Sequence, residues 1–590
     1  MAGSAGCGAE ERGLAGDAGG RRRGARYSAN DPPHSGGSRS TLMSIDATHR
    51  TGRFAVAAPA PAAEPVAPAG AASGRAGDRR TRAHRPRARG LARLTLAGTA
   101  SAVALAVMIL ASLLLVSLAA SHPGILVPVA EHSSYPMWIA GPTGFLTNWF
   151  SPTARDERVL FTVLIATMLV AYLIAVYAAP RLRARWVLGA IVVLHLIFLL
   201  SPPLTLSDVF NYLNYGRMEA VYHLNPYVTI PALEPHADPT FLLSNWHGLL
   251  SPYGPLFTVF TMALVPLGVA GSFWAMKVTL MLASLGTVLL VYRCAQLLGR
   301  NALAAALIVG INPIVLVWGL GGDHNDFLMT FLLVLGFWLL LRADSLRVGK
   351  RARPAPEGPG GWGGGLRGAW AWIDGMPRPL VRGEPAAWME IGAGATLVAA
   401  VSIKASAAVL VPVVIAGAAR RIRVLLGVLI GLAAAVAMTI FAFGVNLPDV
   451  GQQDHLVVPD GLPNLLGLAL GFGGYTSQMR AALTLALVGV IVAASIWVWR
   501  TRRWLTACGV VSLALLLTLG WTLPWYILWL LPFAALSRSR GLRIAAVVFG
   551  VYIYLAWMPY SAEILGFLHI NPANTNLGAQ ETNFMQALLF

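Results

Sequence analysis

The 590-residue sequence predicts an all-α polytopic membrane protein, a bundle of about 12–14 transmembrane helices with re-entrant segments. Three observations predict it. Hydrophobic residues make up 56% of the chain and charged residues only 12%, where a soluble protein carries about a quarter. Several windows, 105–120 with its flanks and 159–179 among them, approach or exceed the ~18 apolar residues that cross a bilayer. Arginines cluster where those windows end, as orientation in a membrane requires. Helices follow because a lipid-facing segment must satisfy its backbone groups internally.

Residues 1–94 are rich in Ala, Gly, Pro, Ser and Arg and hold few large apolar side chains. They are expected to form a disordered, basic, cytoplasmic leader. No signal peptide is recognisable ahead of the first apolar segment, and Met43 is an alternative start. RRRGAR, GRAGDRR and TRAHRPRAR in this leader carry much of the net charge of +18. Such tails set topology or touch anionic lipid, and nucleic acid is not an expected partner. Cys7, Cys294 and Cys508 lie far apart, without metal or disulfide spacing.

The remaining arginines thread the chain. RLRAR at 181–185, RRIR at 420–423, RTRRW at 500–504, SRSRGLR at 537–543 and the Gly/Pro/Arg-rich insert at 343–388 belong in the cytoplasm. Segment 96–120 then goes out, 159–179 returns and 187–200 goes out again. For segment 256–269 the preferred threading is re-entrant or interfacial, since the alternative, a full crossing, would leave Arg293 and Arg300 outside and GGDHND inside. Next, 302–320 goes out and 327–341 in, completing an N-terminal membrane part (95–342). The C-terminal part (389–590) opens with a hairpin at 391–419, its tip near Lys404. Segment 425–443 goes out, 481–499 in, two short spans bracket 521–526, and a last span follows Arg543. Roughly thirteen crossings result. This threading rests on arginines alone, yet it gathers Asp208, residues 324–326, Lys404, the loop 445–478 and residues 521–526 on the extracytoplasmic side.

Within SPPLTLSDVFNYLNYGRMEAVYHLNPY (201–227), Asp208 is a carboxylate at the water boundary, a costly position that tends to be functional. It is the candidate general base; the alternative is a helix N-cap by Ser207 or Asp208. Asn211, Tyr212, Tyr215 and Arg217 follow as candidates to bind sugar or phosphate, although Arg217 also has Glu219 and Asp208 as structural partners. In GGDHNDFLM (321–329), His324, Asn325 and Asp326 are candidate ligand contacts. A divalent metal is the less favoured reading, since Asp323, His324 and Asp326 are too close in sequence to supply a whole site, so no cofactor is expected. Lys404 either snorkels to the interface or neutralises a phosphate. Tyr253 in SPYGPLF, Trp525 beside Trp521 and Tyr526, and the Asn245–Trp246–His247 cluster are either interfacial anchors or sugar-stacking surfaces.

Taken in order, DVFNYLNYGRMEAVYHLNPY, NWHGLLSPYGPLF, GGDHNDFLM and TLPWYILWLLP resemble the actinobacterial polyprenol-phosphomannose-dependent alpha-1,6-mannosyltransferases, of the GT-C type near glycosyltransferase family 87. The resemblance covers roughly residues 95–560 and leaves out the leader and the insert. It implies a GT-C-like bundle with extracytoplasmic active-site loops in the cell membrane. It also implies polyprenyl-phosphate mannose as donor, a glycan or glycolipid as acceptor, and surrounding membrane lipids. By that similarity Asp208 takes the base's place in an inverting transfer, with Arg217, His324 and Lys404 as candidates to stabilise the leaving phosphate. Ser207 stands where such enzymes often carry a second acid. The competing reading from another class is a lipid-linked-sugar flippase or transporter. Within the enzyme class, arabinosyl or glucosyl transfer shares the pattern.

Overall fold

The computed structural model describes residues 86–567 except 122–135, 147–148, 151, 206–207, 352–383, 450 and 452–455. The leader up to residue 85, Met43 within it, Ser207 and the centre of the insert lie outside the described residues.

Among the described residues every regular element is helical. In chain order they include α1 (Pro86–Ser121), α2 (Ala154–Tyr177), α3 (Ala184–Leu200), α4 (Val209–Tyr222), α5 (Pro255–Leu264), α6 (Gly268–Leu297), α7 (Ala302–Gly310) and α8 (Asp326–Arg351). After the insert come α9 (Pro385–Val401), α10 (Val411–Gly417), α11 (Arg421–Phe443), α12 (Ser477–Thr501), α13 (Trp504–Thr518), α14 (Leu531–Leu536) and α15 (Arg540–Ala556). Local chemistry sets the boundaries. Thr153 and Asp156 form a reciprocal capping box that starts α2, and Gly444, at φ 69°, ends α11.

Six described segments are long and apolar enough to cross a membrane, or seven if α15 and the sharply bent Ser561–Phe567 are one span. The roughly thirteen predicted crossings are therefore not all full-length helices. Five apolar stretches are shorter: α3, α9, Ala405–Gly417, α13 and Pro524–Leu536. Several of these stop where the chain must turn to hold polar groups. Segment 256–269 is not a candidate span by itself: α5 has ten residues, ~15 Å, and passes only as part of the longer apolar stretch Pro255–Leu297. A 3-10 turn at Val265–Leu267 and Gly268, at φ 71°, end it before α6 begins.

α9 packs between α8 and α11. The approach is close enough that a Cβ on Gly394 would strike the Val424 carbonyl, and one on Gly427 the Ile391 carbonyl. Small residues permit this contact where no hydrophobic effect drives helices together in lipid. α11 and α12 turn Leu429, Val436, Phe441, Leu485, Val492 and Ile496 outward, as lipid-facing helices do.

The bundle has two chemically distinct ends. Asp326 opens α8 and Arg347 lies 21 residues on, ~32 Å away along the helix. At the Arg347 end, Glu390 pairs with Arg347 and with Arg423 at 3.3 Å. Arg502 donates there to the Ala418 carbonyl. Because Glu390 near the start of α9 meets Arg423 near the start of α11, the chain between them runs away from that end and returns to it, with Lys404 near its far point. This is the predicted hairpin.

Candidate active site

Three chain breaks converge at the Asp326 end. After α3 the chain leaves the helix at Ser201, turns through a left-handed Thr205 at φ 57°, and is stitched to the turn at 321–325, where Leu204 N–H donates to the Gly321 carbonyl at 2.8 Å. A π-helical turn, Val315–Leu320, delivers that second segment, and such turns are frequent at functional sites. Asp323 then adopts φ 58°, a left-handed conformation uncommon outside glycine. Its carboxylate meets Lys277 Nζ at 3.3 Å, and Lys277 also donates to the Ser201 carbonyl at 3.0 Å. The third break is the hairpin tip: Gly254 N–H donates to the Ile403 carbonyl and Leu256 N–H to the Ser402 carbonyl, both at 3.1 Å. A Cβ at Gly254 would collide with the Ser402 backbone, so glycine lets the Tyr253 loop dock beside Lys404.

The side chains held this way form one cluster. Asp208 occupies the N-cap position of α4, but its side chain makes no capping hydrogen bond. Its carboxylate instead lies 3.4 Å from His324 Nδ1 and 3.4 Å from the Tyr212 hydroxyl, with its side chain 21% exposed. Asn325 N–H donates to that hydroxyl at 3.3 Å. His324 stacks on Trp525, ring centroids 3.3 Å apart. Asp326 accepts from Trp529 Nε1 at 2.6 Å and from Lys404 Nζ at 2.9 Å. The Lys404 ammonium also lies over the Tyr526 ring, 4.5 Å from its centroid. Tyr253 packs edge-on against Tyr212. Two buried donors, Asn325 Nδ2 and Trp525 Nε1, have no hydrogen-bond partner, and an unsatisfied buried donor is costly enough to call for an explanation.

Burial alone would raise the Asp208 carboxyl. The hydrogen bond and charge of His324, the charge of Lys404 and a hydrogen bond from Trp246 outweigh it and hold the group below its ordinary value. Asp323 goes the other way. Burial pushes it up to about 6 despite Lys277. Burial would lower Lys404, but Asp326 and its neighbours raise it to about 12, so it stays cationic. Among the described residues no three His, Cys, Asp or Glu side chains are arranged to hold a metal ion.

Asp208, Tyr212, Tyr253, His324, Asn325, Asp326, Lys404 and Trp525 thus come together. Asn211 stands behind them: its Oδ1 accepts from the N–H groups of Asn245 and Trp246, which sets the loop carrying Trp246. Tyr215 likewise donates to the Leu249 carbonyl at 2.9 Å. Arg217 requires a correction. Nine residues along α4 from Asp208, and so on its opposite face, it grips Asp238 through Nε and Nη2, at 2.7 Å for the shortest contact, and pairs with neither Glu219 nor Asp208. Reasoning from sequence missed Lys277 and Trp529. A lone cation inside GSFWAMKVTLML was the available signal for Lys277.

A family model described as the N-terminal domain of alpha-(1->6)-mannopyranosyltransferase matches residues 106–420. A second, the MptB C-terminal domain, matches 461–573. Alpha-(1->6)-mannopyranosyltransferase A of Mycobacterium tuberculosis is 27% identical over 383 residues, covering 59% of this chain and 64% of that protein. A second alpha-(1->6)-mannopyranosyltransferase of that organism is 27% identical over 401 residues, covering 59% and 65%. Alpha-(1->6)-mannopyranosyltransferase A of Corynebacterium glutamicum is 32% identical over 158 residues, covering 25% and 31%. The chain therefore spans just under two thirds of the first two relatives. No solved structure matches it. Since the first family model alone takes in more than half of the sequence, the chain belongs to the alpha-(1->6)-mannopyranosyltransferase family.

Proposed function

We propose that the protein transfers mannose from a polyprenyl-phosphate donor to a glycan or glycolipid hydroxyl, forming an alpha-1,6 linkage by inversion. The observation that carries this reading is the state of Asp208. It is free of capping duty, part-exposed, and held ionised beside His324, Tyr212 and Trp246. An ionised carboxylate with an open edge is what a general base needs.

In the proposed step the acceptor O–H gives its proton to the Asp208 carboxylate as its oxygen attacks the anomeric carbon. The bond from that carbon to the phosphate oxygen breaks, and its electron pair leaves with the phosphate. Attack opposite the leaving group converts a beta-linked donor into an alpha-linked product. The phosphate gains charge as it departs, so donors fixed in advance around it lower the barrier. Lys404, His324 and the unpartnered Asn325 Nδ2 and Trp525 Nε1 are our candidates for that role. No metal is invoked, because cationic side chains already face the cluster. Arg217 has no part in this reading, being committed to Asp238.

The proposed site faces the extracytoplasmic side. In support, it lies at the opposite end of α8 and α9 from Arg347, Arg423 and Glu390, and arginine-rich ends favour the cytoplasm. The test is a membrane assay with labelled polyprenyl-phosphate mannose and an oligomannoside acceptor. Asp208→Asn is expected to lower transfer by ~10²–10⁴-fold at unchanged expression. Full activity in that variant would remove Asp208 from the mechanism. Movement of donor across the bilayer without product would favour a flippase instead.

A further inference from the structure

At the end of the bundle away from Asp208, Arg300 and Arg543 each point a guanidinium at the same acceptor. Arg300 Nη1 donates to the Ser537 carbonyl at 2.8 Å and Arg543 Nη1 donates to it at 3.2 Å. Two guanidinium nitrogens therefore lie within about 6 Å of one another on one neutral oxygen. Arg538 adds a third positive charge, since both it and Arg543 act on Arg300 by direct repulsion. Among the described residues none of the three pairs with a carboxylate, whereas Arg347 and Arg423 nearby share Glu390. Arg300 Nε is buried and makes no hydrogen bond. Like charges gathered without a counter-charge repel, and a buried guanidinium N–H left unmatched is costly.

The second feature is an apolar groove that begins at Arg543. Its walls are α2 and α15, and its floor is formed by the Ile308–Ile314 segment and Pro524–Leu536. Leu173, Val547 and Val551 line it and are themselves exposed along the lipid-facing surface. From Arg543 to Val551 it follows α15 for ~12 Å, room for much of one hydrocarbon chain.

We propose that this is a binding site for one anionic glycerophospholipid, its phosphate on Arg300 and Arg543 and one acyl chain in the groove. The argument for this occupant is charge complementarity. A phosphate accepts two parallel N–H bonds from a guanidinium, which a neutral carbonyl cannot, and it supplies the missing negative charge. Arginine-rich surfaces at a membrane boundary attract anionic lipids in any case. Here the attached groove adds a seat for the tail.

The test uses the full chain in nanodiscs of phosphatidylcholine doped with phosphatidylglycerol, with retained lipid read by native mass spectrometry and thermal stability followed in parallel. The wild type is expected to retain phosphatidylglycerol over phosphatidylcholine by at least tenfold. The Arg300→Gln/Arg543→Gln pair is expected to lose that preference. Those substitutions also remove two hydrogen bonds to Ser537, so a second variant leaves the guanidiniums in place: Val547→Trp, which fills the groove from its exposed wall, is expected to weaken retention severalfold. Equal retention of the two lipids by the wild type would overturn the proposal, as would unchanged phosphatidylglycerol retention in both variants. Stabilisation by inorganic phosphate alone, matching that by the lipid, would overturn the lipid as occupant.

Discussion

Two lysine–aspartate pairs flank the same short turn, and they are built differently. Lys277 and Asp323 meet at 3.3 Å with both side chains 1% exposed. Lys404 and Asp326 meet at 2.9 Å, with the aspartate sealed but the lysine 16% exposed. The first pair closes on itself and on the Ser201 carbonyl, holding Asp323 in its left-handed conformation and fixing where His324 begins. The second offers an ammonium with donor capacity left over, beside two aromatic rings and the Asp208 carboxylate. Three residues of sequence thus separate a sealed clasp from a charge that remains accessible. What distinguishes them is access to solvent, since the chemistry of the ions is the same.

The comparison breaks most visibly if one half of the clasp is removed. Lys277→Met leaves a buried carboxylate without its partner, a loss of about 3–5 kcal/mol for such a pair. Folded protein recovered from membranes and its thermal midpoint are expected to fall together. Adding Asp323→Asn removes the stranded charge while keeping a residue that tolerates positive φ, and is expected to recover much of the loss. If Lys277→Met folds normally yet is inactive, the clasp is a second working charge and the distinction fails.

Lys404→Met is expected to behave in the opposite way. Asp326 stays sealed but keeps the hydrogen bond from Trp529 Nε1, so abundance is expected to fall less than in Lys277→Met. Transfer is expected to drop by roughly 10²–10³-fold, the scale for removing one donor that stabilises developing charge. The effect should appear in kcat more than in KM. A variant that merely unfolds would put Lys404 with Lys277.

A third comparison sets His324 against the burial of Asp208. In the wild type the acid limb of kcat/KM is expected below the ordinary carboxylate range if Asp208 is the proposed base, because its depressed carboxyl stays ionised until the pH is low. In His324→Gln the largest opposing interaction is gone and burial raises the carboxyl. Activity is then expected to be lost at a higher pH as the solution is acidified. An acid limb that stays where it was would mean that another group titrates.

How much of this could be read from sequence depended on what each residue costs in lipid. Asp208, His324, Asn325, Asp326 and Lys404 stand out because polar groups beside apolar windows need a reason, and the structure brings all five together. Lys277 was equally anomalous inside α6, but nothing in a linear sequence says that residue 323 will lie against residue 277. The short helices were hidden for a related reason. Apolar length marks what lipid tolerates, and it does not register that α3 and α9 end early to let loops cross-link. The N-cap alternative for Asp208 could be decided only by seeing where its side chain points.

Arg217 gives the smallest effect and the cleanest control for that distinction. Its guanidinium, with the Tyr222 and Thr240 hydroxyls, overcomes burial and lowers Asp238 to about 2. A carboxyl depressed in the folded state adds stability that is fully present above its ordinary value near 4. That stability is lost as the pH falls through about 2. A difference of nearly two pH units corresponds to at most about 2.5 kcal/mol, an upper bound because Arg217 is partly solvated. Arg217→Met is therefore expected to lower the thermal midpoint at neutral pH and to move acid unfolding to higher pH, while each folded molecule keeps its transfer rate. A variant of unchanged stability that loses transfer by 100-fold would return Arg217 to the substrate. It would also show that both faces of α4 serve the substrate, where the geometry turns one toward the Asp208 cluster and the other toward Asp238.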